Sequence, residues 1–297
     1  MIKFIKAVFA SLVITVLFAG FQQAAAQIRP LGTQYYENQY LSNPAFVGIS
    51  KGINMNLSYR NQWRSIPGSP VTMDVSAEYN DKKVGVGLNV YNDKAGLFNR
   101  TRAMGMYAYH LPLDDEASDL HFGLALGVMY ERLDNQRIVA DPNDVVAARF
   151  NERKPFIDGD FGMAYTTEKV TIQGALPNLK KFLRKDDQNT IDGSTYLLAM
   201  SYKMGTDLDP ISMEPKISFR GAKDIDNIWD IGTNVKFQNN IISFLGMYHS
   251  DQSATFGFGL RYDKFLIQGF YTSQLAAERQ RTGADFELSL KINLRSY

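Results

Sequence analysis

The sequence predicts an all-β protein, a transmembrane antiparallel β-barrel of about 14 strands. Three observations favour this fold. Apolar and polar residues alternate along many stretches, the links between these stretches differ in length in a regular way, and aromatic residues lie near the ends of the stretches. A closed barrel explains all three, because each strand then turns one face towards lipid and the other towards the lumen.

The first 26 residues are typical of a secretory signal peptide. Lys3 and Lys6 precede an apolar run at residues 8–18, and small residues at 24–26 allow cleavage before Gln27. This run is shorter than the about 20 residues that a membrane-spanning helix needs. We therefore expect residues 1–26 to be a signal peptide, 27–51 an N-terminal periplasmic or lumenal segment, and 52–297 the barrel.

Composition excludes several classes of protein. The chain has 32 basic and 31 acidic residues, and removing the two lysines of the signal peptide leaves 30 and 31, a net charge of −1. That balance offers no basic face for nucleic acid. The chain has no cysteine, so it is neither a lipoprotein nor stapled by disulfides.

Alternation with a period of two residues predicts strands. The predicted strands lie near residues 53–60, 70–79, 83–91, 100–110, 119–130, 158–166, 169–176, 194–204, 211–220, 228–238, 240–249, 254–262, 264–272 and 283–295. Soluble β-sandwiches, the competing architecture, have strands of about 5–6 residues. A tilted membrane strand needs about 9–11 residues. Many of the predicted strands are of the longer kind, which favours the barrel.

The links between strands also suit a barrel with long loops at one rim and short turns at the other. Links after strands 1, 3, 5, 7 and 13 are predicted to be long, and those after strands 2, 6, 10 and 12 short. The links after strands 4 and 8 are longer than this rule expects, and those after 9 and 11 shorter. We expect the short turns and both termini on the periplasmic side.

Aromatic residues near strand ends predict two girdles at the membrane interfaces. These residues are Tyr59, Tyr79, Tyr109, Tyr130, Tyr165, Tyr262 and Trp229.

Many residues in the polar, inward phase of the strands are small. They are Gly85, Gly87, Gly123, Ala125, Gly127, Gly162, Ala164, Gly257 and Gly259. Small inward residues leave room in the lumen for a plug or another chain, or they relieve packing in a curved wall. Both interpretations stay open at this point.

No catalytic site is expected. His110 and His121 flank the link after strand 4, and His249 lies beside Ser250 and Asp251 near the opposite rim. Neighbouring residues of an extended chain point to opposite faces, so His249 and its neighbours do not converge. We interpret His249 as an ordinary polar loop residue and the protein as a non-enzyme.

No metal or cofactor is expected either. Residues 141–144, Asp-Pro-Asn-Asp, lack the about 6–8 oxygen ligands and the glycine of a Ca²⁺ loop, and a turn is favoured. The lysine-rich stretch 179–185 is interpreted as a solvated loop or short helix, with binding of lipopolysaccharide or a partner as the alternative.

Several short motifs occur in a characteristic order: residues 40–48 (YLSNPAFVG), 59–63 (YRNQW), 66–70 (IPGSP), 84–96 with NDKAG at its end, 141–144 (DPND) and 177–179 (PNL). Together they resemble the PorP/SprF family of type IX secretion system membrane proteins, from about residue 34 to the C-terminus. The end departs from the usual outer-membrane pattern, because Tyr297 is out of phase with Leu290, Ile292 and Leu294.

The resemblance implies an outer-membrane barrel that serves protein export. Its partners would be type IX secretion components and a secreted protein with a C-terminal sorting domain, in some members a gliding adhesin. Outer-membrane lipid and lipopolysaccharide would surround it. The alternative is a passive channel for small solutes, without protein partners.

The family-like motifs suggest where a partner would bind. The candidate partner-binding residues are Asn43, Pro44, Arg60, Gln62, Trp63, Asn92, Asp93, Asp141, Asp144 and Asn178.

Overall fold

The computed structural model is a closed antiparallel barrel of 14 strands, in which each strand pairs with its chain neighbours and the first pairs with the last. The structure describes residues 32–113, 118–134, 149–180, 195–206, 209–222, 225–238, 240–276 and 282–294. The predicted fold class and strand number are confirmed. The predicted signal peptide lies outside the described residues.

The strands follow the predicted order, with ends shifted by a few residues. They are β1 (Ile53–Asn61), β2 (Val71–Asp81), β3 (Val84–Ala95), β4 (Phe98–Pro112), β5 (Asp119–Leu133), β6 (Phe156–Thr166), β7 (Val170–Leu176), β8 (Thr195–Tyr202), β9 (Ile211–Ala222), β10 (Ile225–Phe237), β11 (Ile242–His249), β12 (Ser253–Tyr262), β13 (Phe265–Gln274) and β14 (Asp285–Leu294).

The two rims of the barrel differ in their links. Links after even-numbered strands form what we call the short-turn rim, and links after odd-numbered strands form the long-loop rim, which includes residues 134–155 and 177–194. Both rims have exceptions. The link between β8 and β9 at the short-turn rim is long, and those after β9 and β11 at the other rim are short.

The prediction of a long link after strand 3 is wrong. β3 and β4 stay paired as far as Ala95 and Phe98, and Gly96 turns the chain with φ of 58°. The hairpin continues because backbone pairing needs no apolar face. Its outer part is joined instead by polar side chains, as where Asn92 Nδ2 donates to Asn99 Oδ1 over 2.7 Å.

The outer wall is apolar and the inner wall polar, as the alternation predicts. Leu88, Leu126 and Ile157 are among the exposed apolar side chains of the outer face. Of the predicted interface aromatics, six are exposed and Tyr165 is partly exposed; the exposed ones are Tyr59, Tyr79, Tyr109, Tyr130, Tyr262 and Trp229. No helix in the described parts of the chain is long and apolar enough to cross a membrane.

Residues 32–48, which we call the lumenal segment, lie inside the barrel. The segment contains helix α1 (Gln34–Glu37) and two 3-10 turns, Gln39–Leu41 and Pro44–Phe46. Asn43 begins the second turn, and its side chain accepts a hydrogen bond from the amide of Ala45. This cap and the proline that follows it explain why the chain turns here.

The lumenal segment reaches opposite walls of the barrel. Near its C-terminal end, Ala45, Phe46 and Val47 pack in one hydrophobic cluster with inward side chains of β4, β5 and β6. Near its N-terminal end, Tyr35 and Tyr36 pack with inward side chains of β11 and β13. In a barrel of 14 strands β5 and β12 face each other, so the segment crosses the lumen.

Candidate functional site

The wall touches the lumenal segment at glycines. A Cβ atom on Gly85 would lie 1.8 Å from the Val47 carbonyl oxygen, and one on Gly123 would lie 2.1 Å from the Ala45 nitrogen. A Cβ on Gly162 would lie 1.9 Å from Asn43 Oδ1. Side chains at these three positions are excluded by the segment itself.

Other inward glycines have a different cause. A Cβ on Gly127 would lie 1.9 Å from the Ala103 carbonyl oxygen, and one on Gly257 would lie 2.6 Å from the Phe270 ring. These neighbours belong to the wall. Each of the two interpretations of the small inward residues therefore holds at some positions.

Asn43 fixes the middle of the lumenal segment. It is fully buried, and its Nδ2 donates to the Met163 carbonyl and to Gln173 Oε1, both over 3.2 Å. Gln173 Nε2 in turn donates to Gln39 Oε1 over 2.8 Å. The amide side chains thus join β6 and β7 to two points of the segment.

The C-terminal end of the segment is fixed near the short-turn rim. The amide of Gly48 donates to Glu78 Oε2 over 2.8 Å. His110 Nε2 lies 3.0 Å from the Val47 carbonyl oxygen, and its Nδ1 lies 2.8 Å from His121 Nδ1. The two histidines lie at the short-turn rim as predicted, and they hold the segment.

The N-terminal end is fixed near the long-loop rim. The amide of Thr33 donates to both carboxylate oxygens of Glu287, at 2.9 and 3.0 Å. Arg60 lies 3.3 Å from Glu287 and 2.9 Å from Asp285. All three charged side chains are buried. This cluster attaches the N-terminal end of the segment to β1 and β14, the two strands whose pairing closes the barrel.

Tyr35 enters a second buried charged cluster. Its hydroxyl donates to Asp230 Oδ2 over 2.6 Å, and the guanidinium of Arg220 lies over its ring and 2.8 Å from Asp230. Burial raises the pKa of the Tyr35 hydroxyl, so the neutral phenol acts as the donor. The neighbouring Tyr36 carbonyl accepts from Lys216 Nζ over 3.0 Å.

His249 also belongs to this cluster, and its interpretation as a polar loop residue is wrong. It is buried at the end of β11, with Nδ1 2.5 Å from Asp230 Oδ1. The strand phase explains this, because His249 follows Leu245 and Met247 on the inward face. Among the described residues no group of three or more His, Cys, Asp or Glu side chains could hold a metal ion.

The predicted partner-binding residues divide into three sets. Asn43, Pro44, Arg60 and Gln62 are buried, and Trp63, which follows Gln62, is partly buried, with its amide donating to Asp285 Oδ1. Asn92 and Asp93 lie on β3, and the amide of Asn178 donates to Asp160. Asp141 and Asp144 lie outside the described residues.

Sequence reasoning missed the residues of the wall that receive the segment. Asp230, Glu287 and Lys216 read as ordinary inward polar residues. A usable signal was the apolar character of some inward positions, since Met104 and Phe270 break the polar phase of their strands and pack in the two clusters with the segment.

Solved outer-membrane barrels resemble this structure in fold. The outer membrane protein Omp33 of Acinetobacter baumannii matches with a TM-score of 0.52 and 7% identity, over 83% of this chain and 100% of its own. The CymD monoaromatic hydrocarbon channel matches with a TM-score of 0.55 and 11% identity, over 92% of this chain and 95% of its own. Such low identities show the fold alone.

Sequence comparison is more specific. No curated protein matches the chain. The model of the family described as type IX secretion system membrane protein PorP/SprF matches residues 24–292. The chain therefore belongs to the PorP/SprF family of type IX secretion system membrane proteins and is an outer-membrane barrel.

Proposed function

We propose that this barrel docks or anchors a secreted protein at its long-loop rim and does not conduct solutes through its lumen. The observation that carries the proposal is the lumenal segment, which crosses between opposite walls and is held at both ends by buried bonds. A partner then meets a closed barrel, whose outer rim presents the available surface.

Family membership implies association with type IX secretion components. We propose that the docked partner is a secreted protein with a C-terminal sorting domain, such as a gliding adhesin. The signal peptide at residues 1–26 would direct the chain to export. Lipopolysaccharide is a further candidate partner, for the lysine-rich stretch 179–185, of which residues 181–185 lie outside the described part of the chain.

The link between β1 and β2 is the described part of the rim that suits docking best. Arg64, Ser65 and Ile66 are exposed, and Ile66 presents an apolar side chain to solvent at 40% exposure. The link is also well held, because the amide of Ser65 donates to the Thr282 carbonyl across the rim. Because the link is already ordered, a partner that binds this exposed apolar side chain causes little further loss of conformational entropy.

The buried candidates would act differently from the exposed ones. Arg60 pairs with Glu287, which accepts from the amide of Thr33, and Asn43 attaches the segment to β6 and β7. We propose that these two residues support the rim and the closed state and that Trp63 and its exposed neighbours meet the partner. Asp141 and Asp144, in the longest link, remain candidates for direct contact. No residue is proposed for catalysis.

The experiment is deletion of the gene followed by complementation. Surface proteomics of the deletion strain should show loss of at least one secreted protein that has a C-terminal sorting domain, and the wild-type gene should restore it. The variant Ile66→Asp should restore it poorly, because a charge in an apolar contact must be desolvated.

The matched control is Ile49→Asp, at a side chain of 41% exposure next to the short-turn rim, which should restore display fully. Unchanged surface proteins in the deletion strain would refute the proposed function. Equal display with both variants would refute the placement of the docking surface on the β1–β2 link.

A further inference from the structure

Asp74 is a buried carboxylate without an opposite charge. It lies on β2 and faces the lumen at 5% exposure. Asn89 Nδ2 donates to its Oδ2, Ser76 lies nearby, and the buried Oδ1 of Asp74 makes no hydrogen bond of regular geometry. Among the described residues, no lysine, arginine or histidine pairs with it.

Each of the other buried carboxylates among the described residues has an arginine or a backbone amide as its partner. Asp285 and Glu287 meet Arg60, Glu131 meets Arg100, Asp158 and Asp160 meet Arg102, and Asp230 meets Arg220. Glu78 accepts from the Gly48 amide and is attracted by Lys291. Asp74 is therefore unusual among the buried carboxylates in having no such partner, and an isolated buried charge is strongly disfavoured.

Further polar atoms near Asp74 are buried and make no hydrogen bond of regular geometry, although the Tyr40 hydroxyl lies close to Ser76 and Asn38. On the wall these are Ser76 Oγ and Asn56 Nδ2, which lie directly opposite each other in the β1–β2 pairing. On the lumenal segment they are Tyr40 Oη and Asn38 Nδ2.

These atoms share one place. Ser76 follows Asp74 on the same face of β2, and the Tyr40 hydroxyl is turned towards Ser76 and Asn38. The carboxylates of Asp74 and Glu78 are close enough to raise the pKa of Tyr40 further, beyond the effect of its burial. One carboxylate, two hydroxyls and two side-chain amides lie here, and a carboxylate with neutral oxygen ligands is the chemistry of a site for a hard cation.

We propose that a hard monovalent cation, of the sodium class, binds between the lumenal segment and the barrel wall at Asp74. Asp74 Oδ1 supplies the negative charge, and Ser76 Oγ, Tyr40 Oη and the side-chain amides of Asn38 and Asn56 supply neutral ligands. An amide offers its oxygen after a turn of its terminal group. One carboxylate balances one charge, whereas Ca²⁺ sites usually contain more than one carboxylate.

The site joins two parts of the chain. Tyr40 and Asn38 belong to the lumenal segment, and Asp74, Ser76 and Asn56 belong to β1 and β2. A bound cation therefore stabilises the closed barrel by mass action, as any ligand of the folded state does.

The test uses the full-length folded barrel in non-ionic detergent and its heat-modifiable migration in gels run with the tris salt of dodecyl sulfate, so that the detergent adds no sodium. The temperature of half conversion should be higher, by about 3 °C or more, in sodium chloride than in tetramethylammonium chloride at equal ionic strength. The variant Asp74→Asn should lose this difference. In crystals soaked with thallium(I), an anomalous peak should appear beside Asp74 in the wild type and be absent from the variant.

The control is Glu131→Gln, which removes a buried carboxylate that has its own arginine and should keep the sodium response. Equal conversion temperatures of the wild type in the two salts would overturn the proposal and indicate a protonated Asp74 with water. A response of equal size in Asp74→Asn would also overturn it, as a general salt effect. A calcium response at micromolar concentration that Asp74→Asn abolishes would overturn the assignment to a monovalent ion.

Discussion

Gly123 lies where the wall and the lumenal segment are in direct contact. A Cβ atom there would lie 2.1 Å from both the Ala45 nitrogen and the Pro44 carbonyl carbon, which are backbone atoms and cannot turn away. Gly246 is the opposite case, because a Cβ there would meet nothing within 4 Å. The two glycines therefore separate the effect of the segment from the effect of any glycine replacement in a strand.

We expect Gly123→Val to destabilise the folded barrel by about 1–3 kcal/mol, the usual cost of overpacking, or to displace the segment. The conversion temperature in heat-modifiable migration and the protease sensitivity of residues 32–48 would both report it. Gly246→Val should leave both measurements close to those of the wild type. If the two variants behave alike, the contact between Gly123 and the segment does not exist in solution.

At the scale of elements, the lumenal segment behaves as a small core inside a polar wall. It contributes Phe46 and Val47 to one hydrophobic cluster and Tyr35 and Tyr36 to the other. Its hydrogen bonds go to strands far apart in the chain, such as β2 at Glu78 and β14 at Glu287. Since Asn43 bonds to β6 and β7, the segment links the closing strands of the barrel to its opposite side.

Removing residues 33–47 from the full chain should open the barrel, because a wall of 14 strands encloses more space than its own side chains fill. In planar bilayers we expect the wild type to show no stable large conductance and the deletion to show one. Heat-modifiable migration first establishes whether the deletion variant folds. If it does not fold, the conductance of Gly123→Val, which displaces the segment without removing it, is measured in its place.

The outcome that contradicts this prediction is a stable open pore in the wild type equal to that of the deletion. That result would favour the alternative of a passive solute channel over docking.

At the scale of the whole molecule, the two rims should face different compartments. Long loops of outer-membrane barrels face the cell exterior and short turns face the periplasm. The barrel offers two matched turns for a test, each of two residues and each with one residue at positive φ, Gly96 at 58° and Asp263 at 50°.

An epitope inserted between Gly96 and Leu97 should bind antibody on intact cells, and one inserted between Asp263 and Lys264 should bind only after permeabilisation. Fluorescence of labelled cells measures both. Labelling of the second insertion on intact cells would show that the orientation is reversed.

The amino-acid sequence by itself determined the order and number of the strands and the face that most of their residues present. Lipid on one side and a polar lumen on the other impose a period of two, which a local pattern such as 120–130 shows directly. It also singled out the turn residues of tight links such as Asp263. The end of a strand beyond the membrane carries no such pattern, so the extension of β3 to Ala95 was not predicted.

Only the tertiary structure decided what the lumen contains. The lumenal segment has no regular period, and its order comes from contacts with residues separated from it by up to 254 positions, as between Thr33 and Glu287. In the alternating pattern of their strands, Asp74, Asp230 and Gly123 differ in no way that shows their roles, because each is simply an inward residue. Their roles differ because closure of the barrel brings different strands against different parts of the segment, and distance along the chain hides that arrangement.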